Sequence, residues 1–151
     1  MINIFSEEGV QQFIDRIEKL TPESKPLWGK MSVDQMLAHL NVAYEMVYEP
    51  EKHPRRKGLT RWLLKTFVKK LVVGEKPYPR NTRTAPSFII ADRRDFQKEK
   101  QRLIENLKRT LELGPAFFDG RESPSFGPLT VQEWNNLYSK HLDHHLQQFG
   151  V

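Results

Sequence analysis

Thr130-Val131-Gln132-Glu133-Trp134-Asn135-Asn136-Leu137-Tyr138-Ser139-Lys140-His141-Leu142-Asp143-His144-His145-Leu146-Gln147-Gln148-Phe149 is the stretch whose reading decides the fold. Thr130 followed three residues later by Glu133 is a capping box, and it predicts a helix over 130–148. At ~100° per residue, Trp134, Tyr138, His141, Leu142, His145 and Phe149 share one stripe. His141 and His145 fall in the middle of that stripe, His144 at its edge and Asp143 off it. His144 therefore reads as a surface residue. Two imidazoles one turn apart and aimed at a core each have two ring nitrogens to satisfy. A divalent cation meets that need by taking one nitrogen from each ring, and the i, i+4 spacing is a chelating one. The pattern alone leaves metal binding and ordinary core packing both open.

A third ligand has to come from another helix. Ser32 and Gln35 form a second capping box, which opens a helix over 32–49. Its apolar face holds Val33, Met36, Leu37, Leu40, Ala43, Tyr44 and Val47. His39 flanks that face and can reach the bundle interior. Taken alone it reads better as a hydrogen-bonded core histidine. His53 follows Pro50 in a charged loop and is the poorest of the five histidines as a ligand.

The remaining elements are helical too. Ser6 caps a helix over 6–20, with Val10, Phe13, Ile14, Ile17 and Leu20 at helical spacing. Asp92 opens a helix over 92–113, lined by Phe96, Leu103, Leu107 and Leu111, with Gly114-Pro115 as its stop. Residues 87–90 read as a short extended piece and 115–128 as a Gly- and Pro-rich loop. No segment shows sustained two-residue alternation. The expected architecture is an all-α four-helix bundle, one domain spanning 1–151.

The chain has 151 residues, no cysteine and a net charge of +5. Disulfides, thiolate metal sites and cysteine nucleophiles are excluded, and a reducing cytoplasm is the expected compartment. No apolar run approaches the ~18 residues that cross a bilayer. The acidic Glu7-Glu8 pair stands where a signal peptide carries base, so export is not expected. Between Lys52 and Arg83, eleven bases face one acid, Glu75; this stretch carries +10 and leaves −5 for the rest. The basic character belongs to an insertion over 52–86 between the second and third main helices, which argues against nucleic-acid binding by the whole domain. Within it, a short helix near 59–73 is expected outside the main bundle. Leu59, Trp62, Leu63 and Phe67 are expected to pack on the bundle, with the bases as a solvated face. The alternative is a non-enzymatic binding module that lays this segment on an anionic surface, membrane or nucleic acid.

Met31-Ser32-Val33-Asp34-Gln35-Met36-Leu37-Ala38-His39-Leu40 resembles the second-helix motif of the DinB/YfiT-like superfamily, where a capping Ser precedes a His-Leu metal ligand. His141-Leu142-Asp143-His144-His145-Leu146-Gln147-Gln148-Phe149 resembles the superfamily's last-helix motif. Together with Phe126-Gly127-Pro128-Leu129-Thr130-Val131-Gln132-Glu133-Trp134, these residues look like an uncharacterised bacterial subfamily, a domain of unknown function. The resemblance runs from about Leu20 to the C-terminus. It implies a four-helix bundle with a three-histidine divalent site made of His39, His141 and His145, with zinc or nickel as the metal. It further implies a thiol-dependent S-transferase or a hydrolase acting on a small molecule, with a low-molecular-weight thiol as a candidate partner and a homodimer allowed for. The basic insertion is not part of the general superfamily pattern.

The residues agree with a catalytic site more than a structural one. Three imidazoles leave a coordination position open, where water or a thiol is activated near neutral pH. Tyr138 and Gln148 lie near the right stripe to support the ligands, whereas no Asp or Glu beside the histidines offers itself as a general base.

Overall fold

The structure, a computed structural model, describes residues 1–53, 58–82 and 84–151. Arg55, Arg56, Lys57 and Arg83 of the basic stretch, and the side chains of Thr60 and Arg61, lie outside the described residues. The chain runs through α1 (Glu7–Glu18), α2 (Val33–Tyr48), α3 (Gly58–Leu63), a π-helical turn (Leu64–Val68), α4 (Lys69–Val73), a 3-10 turn (Pro86–Phe88), α5 (Phe96–Phe118), β1 (Glu122–Ser123), β2 (Gly127–Pro128) and α6 (Val131–Gln148). The fold is all-α; its two strands form a two-residue antiparallel ladder, Ser123 opposite Gly127.

The long helices α5 and α6 each pack against both α1 and α2, which places α1 and α2 at opposite corners of a four-helix arrangement. Phe13, Ile17, Met36, Leu37, Leu40, Leu103, Leu107 and Leu146 are fully buried at its centre. Polar groups then fix the rotation of each helix. Asn41 on α2 donates to the Glu99 carboxylate at 2.9 Å and to its backbone carbonyl at 3.0 Å, turning that face of α2 toward α5. Arg102 of α5 reaches back to Glu45 and Glu49 of α2. Two residues before Asn41 lies roughly the opposite side of a helix, and this turns His39 toward α6. Lys100 closes the end of α1 by donating to the carbonyls of Glu18 and Leu20 at 3.1 and 3.3 Å.

Three local expectations are corrected. The long helix begins at Phe96, not Asp92. Asp95 is its cap and accepts from the Lys98 N–H at 2.9 Å. Asp92 instead holds Arg94, whose N–H donates to Asp34 at the start of α2. Gly114-Pro115 interrupts this helix without ending it. Gly114 takes φ 70°, a left-handed conformation that favours glycine, and the chain restarts for one turn from Pro115, which has no N–H to satisfy. That turn carries Phe118 into the core against Phe5, Trp134 and Tyr138. Of residues 87–90, Ser87 and Phe88 lie in a 3-10 turn that Pro86 at its first position favours, and Ile89 after them is extended.

The largest correction concerns the basic insertion. Leu59, Trp62, Leu63 and Phe67 do not pack on the bundle: they are 71, 57, 42 and 67% exposed. The bundle takes a different face of this segment. Val73 is buried, Leu64, Val68 and Val72 pack against the core, and α4 lies along α6. Lys140 of α6 fastens the segment by donating to the Leu71 and Gly74 carbonyls at 2.7 and 2.6 Å, and Asn136 donates to the Val73 carbonyl at 2.8 Å. The stretch is apolar on two faces, and one layer of helices covers only one of them.

Candidate metal centre

Capping sets the phase of both contributing helices. On α6 the Thr130 hydroxyl accepts from the Glu133 N–H at 3.2 Å, and Glu133 accepts from the Thr130 N–H at 3.0 Å. Trp134 is then buried one turn in, between Phe118 and Tyr138. Residues seven and eleven positions beyond Trp134 return to its face, and these are His141 and His145. On α2 the Ser32 N–H donates to the Gln35 side chain at 3.1 Å, and Asn41 turns His39 inward.

The three imidazoles meet. One ring nitrogen from each of His39, His141 and His145 lies within 4.8 Å of the others. Ring centroids are 4.8 Å apart for His39–His141, 4.5 Å for His39–His145 and 5.0 Å for His141–His145. His39 and His145 are buried and His141 is half-buried. Among the described residues no carboxylate joins the group.

Hydrogen bonds determine which nitrogens point inward. His39 Nδ1 lies 2.9 Å from the Phe88 carbonyl, which can only accept, so Nδ1 carries the proton and Nε2 presents its lone pair. His145 Nδ1 lies 2.8 Å from Gln148 Oε1. The orientation of that amide is fixed in turn, because Gln148 Nε2 donates to the Trp28 carbonyl at 2.7 Å. His145 is thus also protonated at Nδ1 and free at Nε2. His39 Nε2 faces His141 Nε2 at 2.8 Å. With a lone pair already on the His39 side, that contact needs either an N–H from His141 or a shared cation. Such outer hydrogen bonds are what orient metal-ligating histidines. Gly29 makes room for the amide: at φ 81° it has no Cβ, and a Cβ there would lie 2.5 Å from Gln148 Nε2.

Burial keeps the rings neutral. It lowers the His39 pKa, only partly offset by the hydrogen bond to Phe88. It drives His141 well below the usual imidazole value, with the neighbouring histidines adding to the effect. It takes His145 down to about 3, with the same neighbours assisting and the Gln148 bond opposing. A cluster of neutral imidazoles with converging lone pairs fits a divalent cation and suits a proton poorly.

The other sequence candidates fall as follows. Gln148 sits directly behind His145. Tyr138 instead stacks on Tyr44 at 4.5 Å and on Trp134 at 5.6 Å, and its hydroxyl finds no partner among the described residues. Asp143 points away and pairs with Arg16 at 2.9 Å. His53 pairs with Glu45 at 2.9 Å, apart from the cluster. His144 is not a plain surface residue; it is half-buried, edge-on to Trp28 and Tyr78 at 5.9 and 5.7 Å. Together with Arg80 and Lys140 these residues line a cavity of about 640 Å³ on the adjoining face of α6. Burial brings the Lys140 amine down to about 8.

Two contributions were missed. The Phe88 and Trp28 carbonyls are backbone atoms brought in by loops, and no residue pattern announces them. Trp28, an aromatic within a polar, Pro-flanked linker, was the one available signal.

Fold and site together define a helical protein with a three-histidine group able to hold a metal ion. The chain belongs to the family described as "Protein of unknown function (DUF1569)", whose model matches residues 7–150. No curated protein and no solved structure matches it.

Proposed function

We propose that this protein is a divalent-metal-dependent enzyme of the DinB-like superfamily, with His39, His141 and His145 as the metal ligands and zinc or nickel as the metal. The observation that carries this reading is the locked tautomers: Phe88 and Gln148 hold the Nδ1 protons of two rings, so their Nε2 lone pairs turn inward beside the third. The 2.8 Å approach of His39 Nε2 to His141 Nε2 is met by a His141 N–H in the metal-free protein and by a shared cation in the loaded one. A bound divalent cation supplies a Lewis acid there and lowers the pKa of a water or thiol that reaches it.

The chain's own residues bind, orient and exclude water. The Phe88 ring walls the site beside His39 and His141, at 5.4 and 5.7 Å. Gln148 and the Phe88 carbonyl keep the imidazoles from turning. The chain has no cysteine, so in thiol transfer the thiol reactant comes from solution; thiol transfer to a small molecule and hydrolysis are the two reactions this reading holds. Asp143 is occupied by Arg16 and does not serve as a base.

The test is elemental analysis of the purified protein and of single alanine variants. Wild type is expected to carry one divalent ion per chain near pH 8, His141→Ala and His145→Ala to lose most of it, and His144→Ala to keep it. Equal losses for His144→Ala and His145→Ala would overturn the ligand assignment. No uptake by wild type at micromolar metal would remove the basis for the enzyme reading.

A further inference from the structure

We propose that the segment from α3 to α4 is a membrane-surface docking element that lays its outer apolar stripe into the headgroup region of an anionic bilayer. The stripe consists of Leu59, Trp62, Leu63, Phe67 and Leu71, between 40 and 71% exposed. It exists because of the π-helical turn at Leu64–Val68. In an unbroken helix at ~100° per residue, Phe67 and Leu71 would lie about 80° and 120° round from Leu59, turned toward Leu64 at about 140° and so toward the bundle. A π turn carries about one extra residue per turn, which swings both back into line with Leu59, Trp62 and Leu63. Trp62 and Phe67 touch edge-on at 6.2 Å as a continuous aromatic patch.

Charge selects the occupant. Lys65 and Lys70 are exposed on this segment and Lys76 just beyond it, while Lys69 is held by Glu133 at 2.8 Å. Residues 52–83 carry +10 in all, so a second copy docking on the same stripe would bring like charge against like. Leu59, Leu63 and Leu71 offer a nucleic acid nothing to bond. An apolar stripe of Trp, Phe and Leu bordered by lysines matches the boundary of a bilayer with anionic headgroups, where acyl chains take the stripe and headgroups take the ammonium groups. Among the described residues no helix is long and apolar enough to cross a membrane.

The experiment is co-sedimentation of the full chain with large vesicles of phosphatidylcholine, alone or with about one-third phosphatidylglycerol. Partition onto the anionic vesicles is expected to be at least about tenfold stronger, to fall with added salt, and to shift Trp fluorescence to the blue. Trp62→Ala/Phe67→Ala and Lys65→Glu/Lys70→Glu are each expected to lose about tenfold or more at an unchanged melting midpoint, because all four residues are exposed. The wild-type vesicle measurement decides even if a variant folds poorly. The proposal is overturned by no preference for anionic vesicles, by stronger binding to single-stranded DNA than to vesicles, or by a concentration-dependent dimer that Phe67→Ala abolishes.

Discussion

Taking the metal-stripped protein from about pH 8 to about pH 5.5 should destabilise it, and His145 sets a lower bound on the loss. In the unfolded chain an imidazole titrates near 6.5. In the fold, burial holds His145 at about 3, so it stays neutral across this window. The unfolded state therefore binds more protons than the native state below about pH 6.5, and stability falls as pH falls. At one pH unit below 6.5 the loss is about 1.4 kcal/mol from His145 alone. His39 and His141 are shifted in the same direction and add to it. The lowered carboxyls of Asp34, Glu45, Glu49 and Glu133 start from 3.8 or 4.5 and act below the window. The assay is urea unfolding followed by circular dichroism with a chelator present. With a slope of about 1–3 kcal/mol per molar urea, 1.4 kcal/mol lowers the midpoint by roughly 0.5–1.4 M. His145→Asn should show a correspondingly smaller pH dependence. Equal midpoints at the two pH values, or the same pH dependence in wild type and His145→Asn, would refute neutral burial of the cluster.

Trp134→Ala should cost about 3–5 kcal/mol in the same assay, since Trp134 is 2% exposed against Phe118 and Tyr138, while Lys70→Glu on the surface should stay within about ±0.5 kcal/mol. Gln148→Leu removes the acceptor behind His145; metal affinity, measured by competition with a chromophoric chelator, should fall about 10–100-fold with helix content unchanged. Gly29→Ala should weaken metal binding through the same amide, because its Cβ would strike Gln148 Nε2 and its φ of 81° disfavours any side chain.

The readable parts of this fold are those that local chemistry decides. The Thr130–Glu133 capping box and the stripe from Trp134 to Phe149 are written within one helix, and the face of α6 that carries His141 and His145 follows from spacing. The start of α5 was misplaced because Asp92 and Asp95 are both good caps; only the tertiary bond from Arg94 to Asp34 commits Asp92 elsewhere. The basic segment is apolar on two faces, so its sequence does not say which face the bundle covers, and Leu59, Trp62, Leu63 and Phe67 were assigned to the bundle when they face outward. On a helical wheel Tyr138 and Gln148 flank the histidine stripe on its two sides, each about 20° from one of the two histidines. What separates them is distance along the axis: Tyr138 lies at the level of Tyr44, and Gln148 at the level of Trp28. His144 was read as a surface residue because Tyr78 and Trp28, which half-cover it, arrive from loops.

X-ray absorption at the metal edge of the zinc- or nickel-loaded protein addresses the triad most directly. A shell that includes three imidazole nitrogens at about 2.0–2.1 Å for zinc, falling to two in His39→Ala, is the expected result. A shell of oxygens without imidazole, or a shell unchanged by His39→Ala, would contradict the assignment of these three histidines as the metal's ligands.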